Sequence, residues 1–446
     1  MWCAGQRLSQ RGLRSTARAA LLFRNLSYTH KHIGAEGNKM RIIVLFTCFQ
    51  IAFLTEAPCV IELSCLECVP DNMPLVTSHR AANGSVVVPA GEQLTLSCGG
   101  GRLLAYPLRS ELVARCEDAR YRLAHDSSLR HLLELGCQED VFEDVLHDVE
   151  HCSAPYQGRA YQTRDAARGV SHLAALCFDE DSWQARFAHV SNAPHNALRL
   201  PAHSERRAPL TLLGNFNHMF DASTRLAAEH LYSDEVRLNR RLHEMFKHDQ
   251  YNFADQRLTS GKLLSGRFFD DQNVRVTEFV SNAVPVWGSV ARGNLQHLHA
   301  DVAALLAAAR DHAPLHVYCG THGVGSLRTA AGPRPLFLKP GRFPVPKYVW
   351  CVVHDERAAR ALAVAVTNDP FVSVSEVRDT VACESACGRV RWLRELRAHR
   401  RYETPLYGLT FCCEVHNFTA LVPEMPPQVI RAVPRGPDGM LTHSYQ

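Results

Sequence analysis

The chain has 446 residues, of which 46% are hydrophobic and 21% are charged, and it carries a formal net charge of +4. This is the composition of an ordinary globular protein with ample core-forming sequence, arranged as two domains or as one large domain with an appendage. The small net charge suits a polyanionic partner without requiring one, so a nucleic-acid partner cannot be inferred from charge alone.

Two targeting signals compete at the N-terminus. Residues 1–31 are rich in arginine and contain no acidic residue, as in a mitochondrial presequence. A second signal starts at Met40, where a short basic segment precedes a largely apolar run and a cleavage site with small residues near Ala57. We expect a basic extension at 1–39 and a secretory signal peptide at 40–57, with no membrane attachment after cleavage. A mitochondrial location is the alternative.

The cysteines favour disulfides and therefore a secreted protein. Of 16 cysteines, 14 lie dispersed from Cys59 onward. Cys65 and Cys68 could instead form half of a zinc site, but a second Cys-x-x-Cys pair is missing from the sequence. The triplets that begin at Asn83 and Asn417 are predicted glycosylation sites of a secreted chain.

After the predicted signal peptide, the pattern of apolar and polar residues changes near residue 170. Residues 58–170 are predicted to form a small, cysteine-bearing region of β-strands, because short alternating runs end at glycine turns. Residues 171–430 are predicted to form a second domain with a central sheet, and residues 431–446 a C-terminal tail. Within that domain, His218 to Lys247 is predicted to be one helix with its apolar residues inward, namely Leu226, Leu231, Val236, Leu238, Leu242 and Phe246.

The stretch 258–310 organises the second domain. It is interpreted as a loop at 258–269, an apolar strand at 276–285, a break rich in Pro, Gly and Ser, and an amphipathic helix. The apolar residues of the helix recur every three to four positions, at Leu295, Leu298, Val302, Leu305 and Ala309. This order has the shape of a strand-plus-helix metal finger that presents a general base and a metal ligand to phosphate.

Five motifs lie along the chain after residue 90. They are Gly-Glu-x-x-x-Leu-x-Cys-x-Gly at 91–100, Leu-Cys-Phe-Asp at 176–179, Tyr-Cys-Gly-Thr-His-Gly-Val at 318–324, Pro-Val-Pro-Lys-Tyr-Val-Trp at 344–350 and Thr-Asn-Asp-Pro-Phe at 367–371. They resemble motifs of the DNA/RNA non-specific endonucleases, the ββα metal nucleases related to endonuclease G, and in particular of their secreted arthropod branch that degrades double-stranded RNA and DNA. The resemblance covers about residues 65–430. It implies an α+β fold: a mixed, mainly antiparallel central sheet with flanking helices and a ββα metal finger, preceded by a small disulfide-stapled β region.

The resemblance also implies a chemistry, phosphodiester hydrolysis. In the family a His of an Arg-Gly-His motif is the general base, an Asn holds Mg²⁺, an Arg neutralises transition-state charge, and a Gln and a Glu brace the metal's water shell. Here the His position is Lys262, in the sequence Ser-Gly-Lys, and the metal-binding Asn position is Ala291. The Gln position is Val286 and the Glu position is His299.

These exchanges predict a catalytically impaired protein. A lysine carries a proton at neutral pH and is a poor general base, and the loss of a general base costs about 10²–10⁴-fold in rate. Alanine offers no side-chain ligand for Mg²⁺, and valine cannot bond to a metal-bound water. We therefore expect Mg²⁺ binding to be weak or absent.

The remaining polar residues near the motif define a candidate substrate surface. Lys262 could act as a fixed phosphate clamp, with Arg267, Arg292 and the retained Asn282 as further substrate-binding residues. The alternative is that Lys262 is an exposed lysine in a relaxed site and that the arginines are scattered surface residues.

A rebuilt metal site is the second possibility that the sequence leaves open. Asn294 could bind a metal near the lost ligand, and His299 could join His297 or His322 around a softer ion. The alternatives are that Asn294 caps the helix and that His299 is one chance imidazole among 24 histidines. Asp270 could offer a carboxylate, or lie in an ordinary acidic turn.

The function that these observations favour is that of a secreted pseudo-nuclease. Such a protein would retain binding to double-stranded RNA or DNA, or to a protein partner, either a second copy of itself or an active family member. Two alternatives remain open. The first is an active metal-dependent endonuclease with a rebuilt site, and the second is an extracellular binding module that uses the fold only for its shape.

Overall fold

The computed structural model describes residues 57–445, except for 64, 80–84, 166–168, 193–221, 248–250, 252, 254, 311, 313 and 400–401. The predicted extension 1–39, nearly all of the predicted signal peptide 40–57 and the glycosylation triplet at Asn83 lie outside the described residues. Thr55–Gln446 form a compact unit. Within the part that is described, none of the helices has the length and apolarity needed to cross a membrane.

Short antiparallel strands form two small sheets in the N-terminal region. The strands are β1 (Cys59–Glu62), β2 (Leu75–Val76), β3 (Ser85–Val88), β4 (Gln93–Ser97), β5 (Glu111–Glu117), β6 (Arg120–Leu123) and β7 (Leu129–Arg130). Strand β1 pairs with β3, and the others form a sheet in the order β2-β4-β5-β6-β7. Along β5 every second residue is buried, because successive side chains of a strand point to opposite faces. One face therefore builds a core.

Disulfides staple this region, as the sequence predicted. Cys59 is bonded to Cys116, Cys98 to Cys137, and Cys65 to Cys68. The Cys65–Cys68 disulfide excludes the alternative of a zinc half-site in this structure, because sulfurs in a disulfide cannot bind zinc as thiolates. The remaining four disulfides lie around the central sheet, and they are Cys152–Cys177, Cys319–Cys351, Cys383–Cys413 and Cys387–Cys412. All cysteines from Cys59 onward are thus paired.

Longer strands and hairpins make up the rest of the β structure. They are β8 (Phe142–Leu146), β9 (Gln157–Asp165), β10 (Gly169–Asp179), β11 (Gln184–Ser191), β12 (Leu258–Lys262), β13 (Ala283–Trp287), β14 (Leu315–Val324), β15 (Ser326–Thr329), β16 (Gly332–Pro335), β17 (Phe337–Lys339), β18 (Arg342–Pro344), β19 (Pro346–Asp355), β20 (Arg360–Thr367) and β21 (Thr410–Cys413). Eight of them form the central sheet, in the order β21-β20-β19-β14-β11-β10-β9-β8. All neighbours in it run antiparallel. The α+β fold class is confirmed.

The central sheet begins before the predicted domain boundary at residue 170, and the predicted C-terminal tail packs on it. Strands β8 and β9 precede residue 170 and pair with one another and with β10, so the sheet crosses the boundary between residues 170 and 171. The predicted tail 431–446 also packs on the sheet, since Leu441 N donates to Ala361 O at 3.1 Å. The Tyr445 hydroxyl donates to the Asp355 carboxylate.

The helices flank the sheet, and the longest one belongs to the finger. They are α1 (Ala222–Tyr232), α2 (Glu235–Met245), α3 (Gly288–Ala291), α4 (Asn294–Ala309), α5 (Val377–Thr380), α6 (Arg394–Ala398), α7 (Val415–Phe418) and α8 (Pro427–Ala432). The single helix predicted from His218 to Lys247 is wrong. The side chain of Asp234 accepts hydrogen bonds from Val236 N and Arg237 N, and it caps a new helix, α2.

The inward face predicted for that helix is correct only in part. Leu231, Leu238, Leu242 and Phe246 are buried, whereas Leu226 is 61% exposed and Val236 is 74% exposed. The break between α1 and α2 resets the helical phase, so a single 3.6-residue period cannot describe both helices.

The finger consists of the β12–β13 hairpin followed by α4. Residues 258–262 form a strand and not the predicted loop. The predicted strand at 276–285 is correct only for residues 283–285, which lie in β13; two 3₁₀ segments, Asp271–Glu278 and Val280–Asn282, precede it. The Asn282 side chain donates to Thr277 O, a bond within this turn of the chain. The five apolar residues predicted to line the helix are all buried, as expected.

Candidate active site

Buried side chains place the first strand of the finger. On α2, Asn239 donates to Leu258 O and accepts from Leu258 N, both at 2.8 Å. Further along β12, a Cβ added to Gly261 would lie 2.8 Å from Val286 Cγ2, so a glycine is needed where the strands approach. This packing places Lys262 at the end of the strand.

The second strand of the finger is held to the central sheet by Asn368. Its Oδ1 accepts from Trp287 N at 3.0 Å, and its Nδ2 lies 3.0 Å from both Pro285 O and Pro346 O. Asn368 belongs to the Thr-Asn-Asp-Pro-Phe turn that carried part of the resemblance. The motif therefore has a structural role that the sequence did not reveal.

Asn282 has a structural role as well. It is fully buried, and its Oδ1 accepts from Leu264 N at 2.8 Å. Its Nδ2 donates to Leu264 O at 3.0 Å and to Thr277 O at 2.9 Å. The amide shapes the backbone of the finger and is not presented to a ligand, contrary to the predicted substrate contact.

A buried polar network ties the finger to the edge of the central sheet. Asp144 and Arg159 form an ion pair at 2.8 Å in which both side chains are almost fully buried. Ser281 Oγ donates to Asp144 Oδ2 at 2.7 Å and lies 2.8 Å from the Tyr161 hydroxyl. Burial raises the pKa of Tyr161 well above its usual value. The neutral phenol therefore bridges the strand and the finger.

Lys262, the residue predicted to stand at the general-base position, is paired with an acidic residue. Its Nζ lies 2.8 Å from Glu278 Oε2, with side-chain exposures of 32% and 47% for the two residues. An ammonium group has no lone pair with which to accept a proton from water. Glu278 was not predicted, because nothing in the sequence between residues 262 and 278 indicates that the 3₁₀ segment returns it to the strand end.

The position of the metal ligand offers no donor for Mg²⁺. Ala291 is the last residue of α3 and is half-buried, and Val286 is buried against Gly261. The Asn294 amide is buried and donates to Gly408 O at 2.6 Å. Gly293, not Asn294, is the N-cap of α4, so the predicted capping role is wrong. Because Mg²⁺ prefers several oxygen ligands, the residues present do not fit the ion.

His299 is a buried, neutral imidazole in this structure. Burial, with the positive charge of Arg267, lowers its pKa to about 4. Its ring makes an edge contact with Phe268 at 5.4 Å. The predicted grouping with His297 or His322 does not form, because His297 stacks on His399 and His322 Nδ1 lies 3.0 Å from Glu424 Oε2. Positions i and i+2 of a helix point in different directions.

The remaining predicted residues lie at the surface. Arg267, on the 3₁₀ turn Gly266–Phe268, and Arg292, which follows α3, are both exposed. Asp270 forms an exposed ion pair with Arg310 at 3.2 Å, so its carboxylate is not directed at a metal. Asn417, the glycosylation candidate within the described residues, is exposed on α7.

The order of β12, β13 and α4 is the strand–strand–helix order expected for the finger. Residues 264–418 match the model of the family described as DNA/RNA non-specific endonuclease. This part of the chain is therefore similar to that family, which is generally metal-dependent. The match begins two residues after Lys262.

Among solved structures, a similar chain comes from "Crystal structure of the EndoG/EndoGI complex: Mechanism of EndoG inhibition". It shares 14% sequence identity with this chain, covers 44% of this chain and 71% of its own length, and has a TM-score of 0.25. No curated protein matches the chain.

Proposed function

We propose that this protein is a pseudo-nuclease, a catalytically impaired family member that binds double-stranded nucleic acid without cleaving it. The observation that carries the proposal is the Lys262–Glu278 ion pair at the general-base position. A lysine is a poor general base at neutral pH, and one held by a carboxylate partner does not supply the group that activates water.

Three further exchanges support the loss of catalysis. Ala291 supplies no side-chain oxygen, Val286 is buried against the opposite strand, and His299 is enclosed beside Phe268. A rebuilt site made from Asn294 or Asp270 is disfavoured, since Asn294 is fully buried and Asp270 pairs with Arg310. The loss of the base alone accounts for about 10²–10⁴-fold in rate.

The exposed arginines support retained binding. Arg267 and Arg292 lie at the surface of the finger and can contact the phosphates of a duplex. A secreted location fits the seven disulfides, because such bonds persist in oxidising compartments. A homodimer or an active family member stays an alternative partner.

Cleavage is tested with the full chain on double-stranded RNA and DNA, with Mg²⁺ and with Mn²⁺, beside the variant Lys262→His/Ala291→Asn. We expect the natural protein to be silent and the variant to gain metal-dependent cutting. The control Lys347→His/Ala307→Asn makes the same exchanges at exposed positions outside the site and should stay silent. Metal-dependent cutting by the natural protein would contradict the proposal.

Binding is tested by fluorescence anisotropy with a DNA duplex at several salt concentrations. Removing two phosphate contacts in Arg267→Ala/Arg292→Ala should weaken binding and reduce the magnitude of the slope of log K against log salt by about 2. Arg310→Ala, an exposed arginine already paired with Asp270, is the matched control and should leave the slope close to that of the natural protein. If the natural protein binds no duplex, the role as an extracellular module is favoured instead.

A further inference from the structure

Three potential metal ligands meet between α4 and α6, outside the nuclease motif. The ligand atoms of His297, Glu395 and His399 all lie within 4.8 Å of one another. The rings of His297 and His399 stack at 4.2 Å, and His399 Nε2 lies 3.7 Å from Glu395 Oε2. His297 is half-buried and the other two are exposed, so the group is reachable from solvent.

The backbone that carries this group is fixed by a buried carboxylate. Asp301 is 1% exposed and lies four residues after His297, on the same face of α4. Its Oδ1 accepts from Glu395 N at 2.8 Å, and its Oδ2 accepts from Leu396 N at 3.0 Å. Asp301 therefore holds the backbone of Glu395 against the helix that bears His297.

The remaining ligand is placed by helical spacing. His399 follows Glu395 by four residues at the end of α6, where its N–H donates to Glu395 O at 3.3 Å. Side chains separated by four residues lie on one face of a helix, so the carboxylate and the imidazole point the same way. Leu396, next to Glu395 in the same helix, is fully buried and anchors α6.

We propose that His297, Glu395 and His399 form a binding site for a divalent transition-metal ion, with Zn²⁺ as the best fit. Two imidazoles and one carboxylate are a zinc ligand set that leaves a fourth position open. Zinc-bound ligand atoms of a tetrahedral site lie about 3.3 Å apart for bonds of about 2.0–2.1 Å. Small side-chain rotations would close the present distances, and the bound ion would link α4 to α6.

This site is distinct from the lost magnesium site of the finger. His297 precedes His299 by two residues on α4, so the two imidazoles point in different directions. The ligand chemistry also differs, because imidazole nitrogen suits Zn²⁺ whereas Mg²⁺ prefers oxygen. The site does not depend on the proposed function, and a working nuclease could hold it equally well.

The test is calorimetric titration of the full, chelator-treated chain with Zn²⁺ alone. We expect one ion per chain and a loss of affinity of about tenfold or more in each of His297→Ala, His399→Ala and Glu395→Gln. His151→Ala is the matched control, because His151 lies 3.1 Å from Glu150 as a His–Glu pair, and it should leave zinc binding unchanged. Near-ultraviolet circular dichroism of each variant without metal checks that the fold is kept.

Two further readouts make the result decisive. Zn²⁺ should raise the melting temperature of the natural protein but not of the His297→Ala variant, since a ligand that binds only the folded state stabilises it. With Co²⁺ as the probe, the spectrum should show no thiolate charge-transfer band, which separates this site from binding by Cys3 or Cys48. Absence of stoichiometric zinc binding, or equal affinity in folded ligand variants, would overturn the proposal.

Discussion

The finger at 258–309 and the N-terminal region at 59–137 are both small and rich in turns, yet they are held together differently. The N-terminal region is closed by covalent bonds, with Cys59–Cys116 joining β1 to β5. The finger contains no cysteine and relies on buried amides, such as Asn282, that bond backbone groups. Removing a disulfide of the N-terminal region should lower stability because the unfolded chain gains entropy. Removing a buried amide of the finger should lower stability because backbone groups lose their hydrogen-bond partners.

In the finger, the residues that shape the backbone differ from those at the predicted catalytic positions. Asn282 and Gly261 shape its backbone, while Lys262 and Ala291 are the residues predicted to stand at the positions of the base and the metal ligand. Buried residues that bond to or pack against the backbone cannot change without cost. Lys262 and Ala291 lie at the end of β12 and at the end of α3, so they can be exchanged while the fold persists.

The largest loss in the free energy of unfolding is expected from removing the Cys59–Cys116 disulfide of the N-terminal region. Replacing both cysteines in Cys59→Ala/Cys116→Ala releases a loop of 57 residues, and the loss in the free energy of unfolding should be about 4 kcal/mol. Urea denaturation measures it. The control Cys65→Ala/Cys68→Ala opens a loop of only 3 residues and should cost clearly less. Equal losses would show that loop entropy does not govern this region.

A smaller effect is expected from removing one amide of the finger. Asn282→Ala leaves the buried N–H and C=O of Leu264 and the C=O of Thr277 without this partner. We expect a loss of about 3 kcal/mol in unfolding free energy, measured by urea denaturation. Gln296→Ala, on the exposed side of α4, should change stability by less than about 0.5 kcal/mol. A loss as small as that of the control would contradict the role assigned to Asn282.

The smallest effect is expected on the pH dependence of the free energy of unfolding, through the buried His354 on β19. Burial, with the charge of His316, lowers the pKa of His354 to about 4, against about 6.5 in an unfolded chain. Below pH 6.5 the unfolded chain takes up a proton that the folded chain does not bind. The contribution of His354 to the free energy of unfolding should therefore fall by about 1–2 kcal/mol between pH 7 and pH 5, with little change above pH 7.

Thermal denaturation across that pH range measures this dependence. His354→Gln should remove the contribution of His354 and leave that of the buried His299, whereas replacement of the exposed His443 by Gln should leave the full dependence. If the pH dependence of His354→Gln matches that of the natural protein, the burial of His354 does not contribute to it. Following the finger and the N-terminal region separately by hydrogen exchange would show whether acid opens both together.

The sequence by itself determined much of this protein. The dispersed cysteines indicated disulfides, the spacing of Leu295 and Leu298 indicated a buried helix, and the motifs indicated the family. These signals are local or compositional, so they can be read along the chain. The exchanges at Lys262 and Ala291 were visible for the same reason.

The tertiary structure decided how distant residues combine. Glu278 reaches Lys262 only because the 3₁₀ segments between them fold back, and Asn368 reaches β13 across 81 positions to Trp287. His297 meets Glu395 and His399 because Asp301 docks α6 on α4. The Glu-x-x-x-His spacing was a local signal for two of these ligands, but the third comes from another element. Long-range contacts depend on packing, which neither periodicity nor composition encodes.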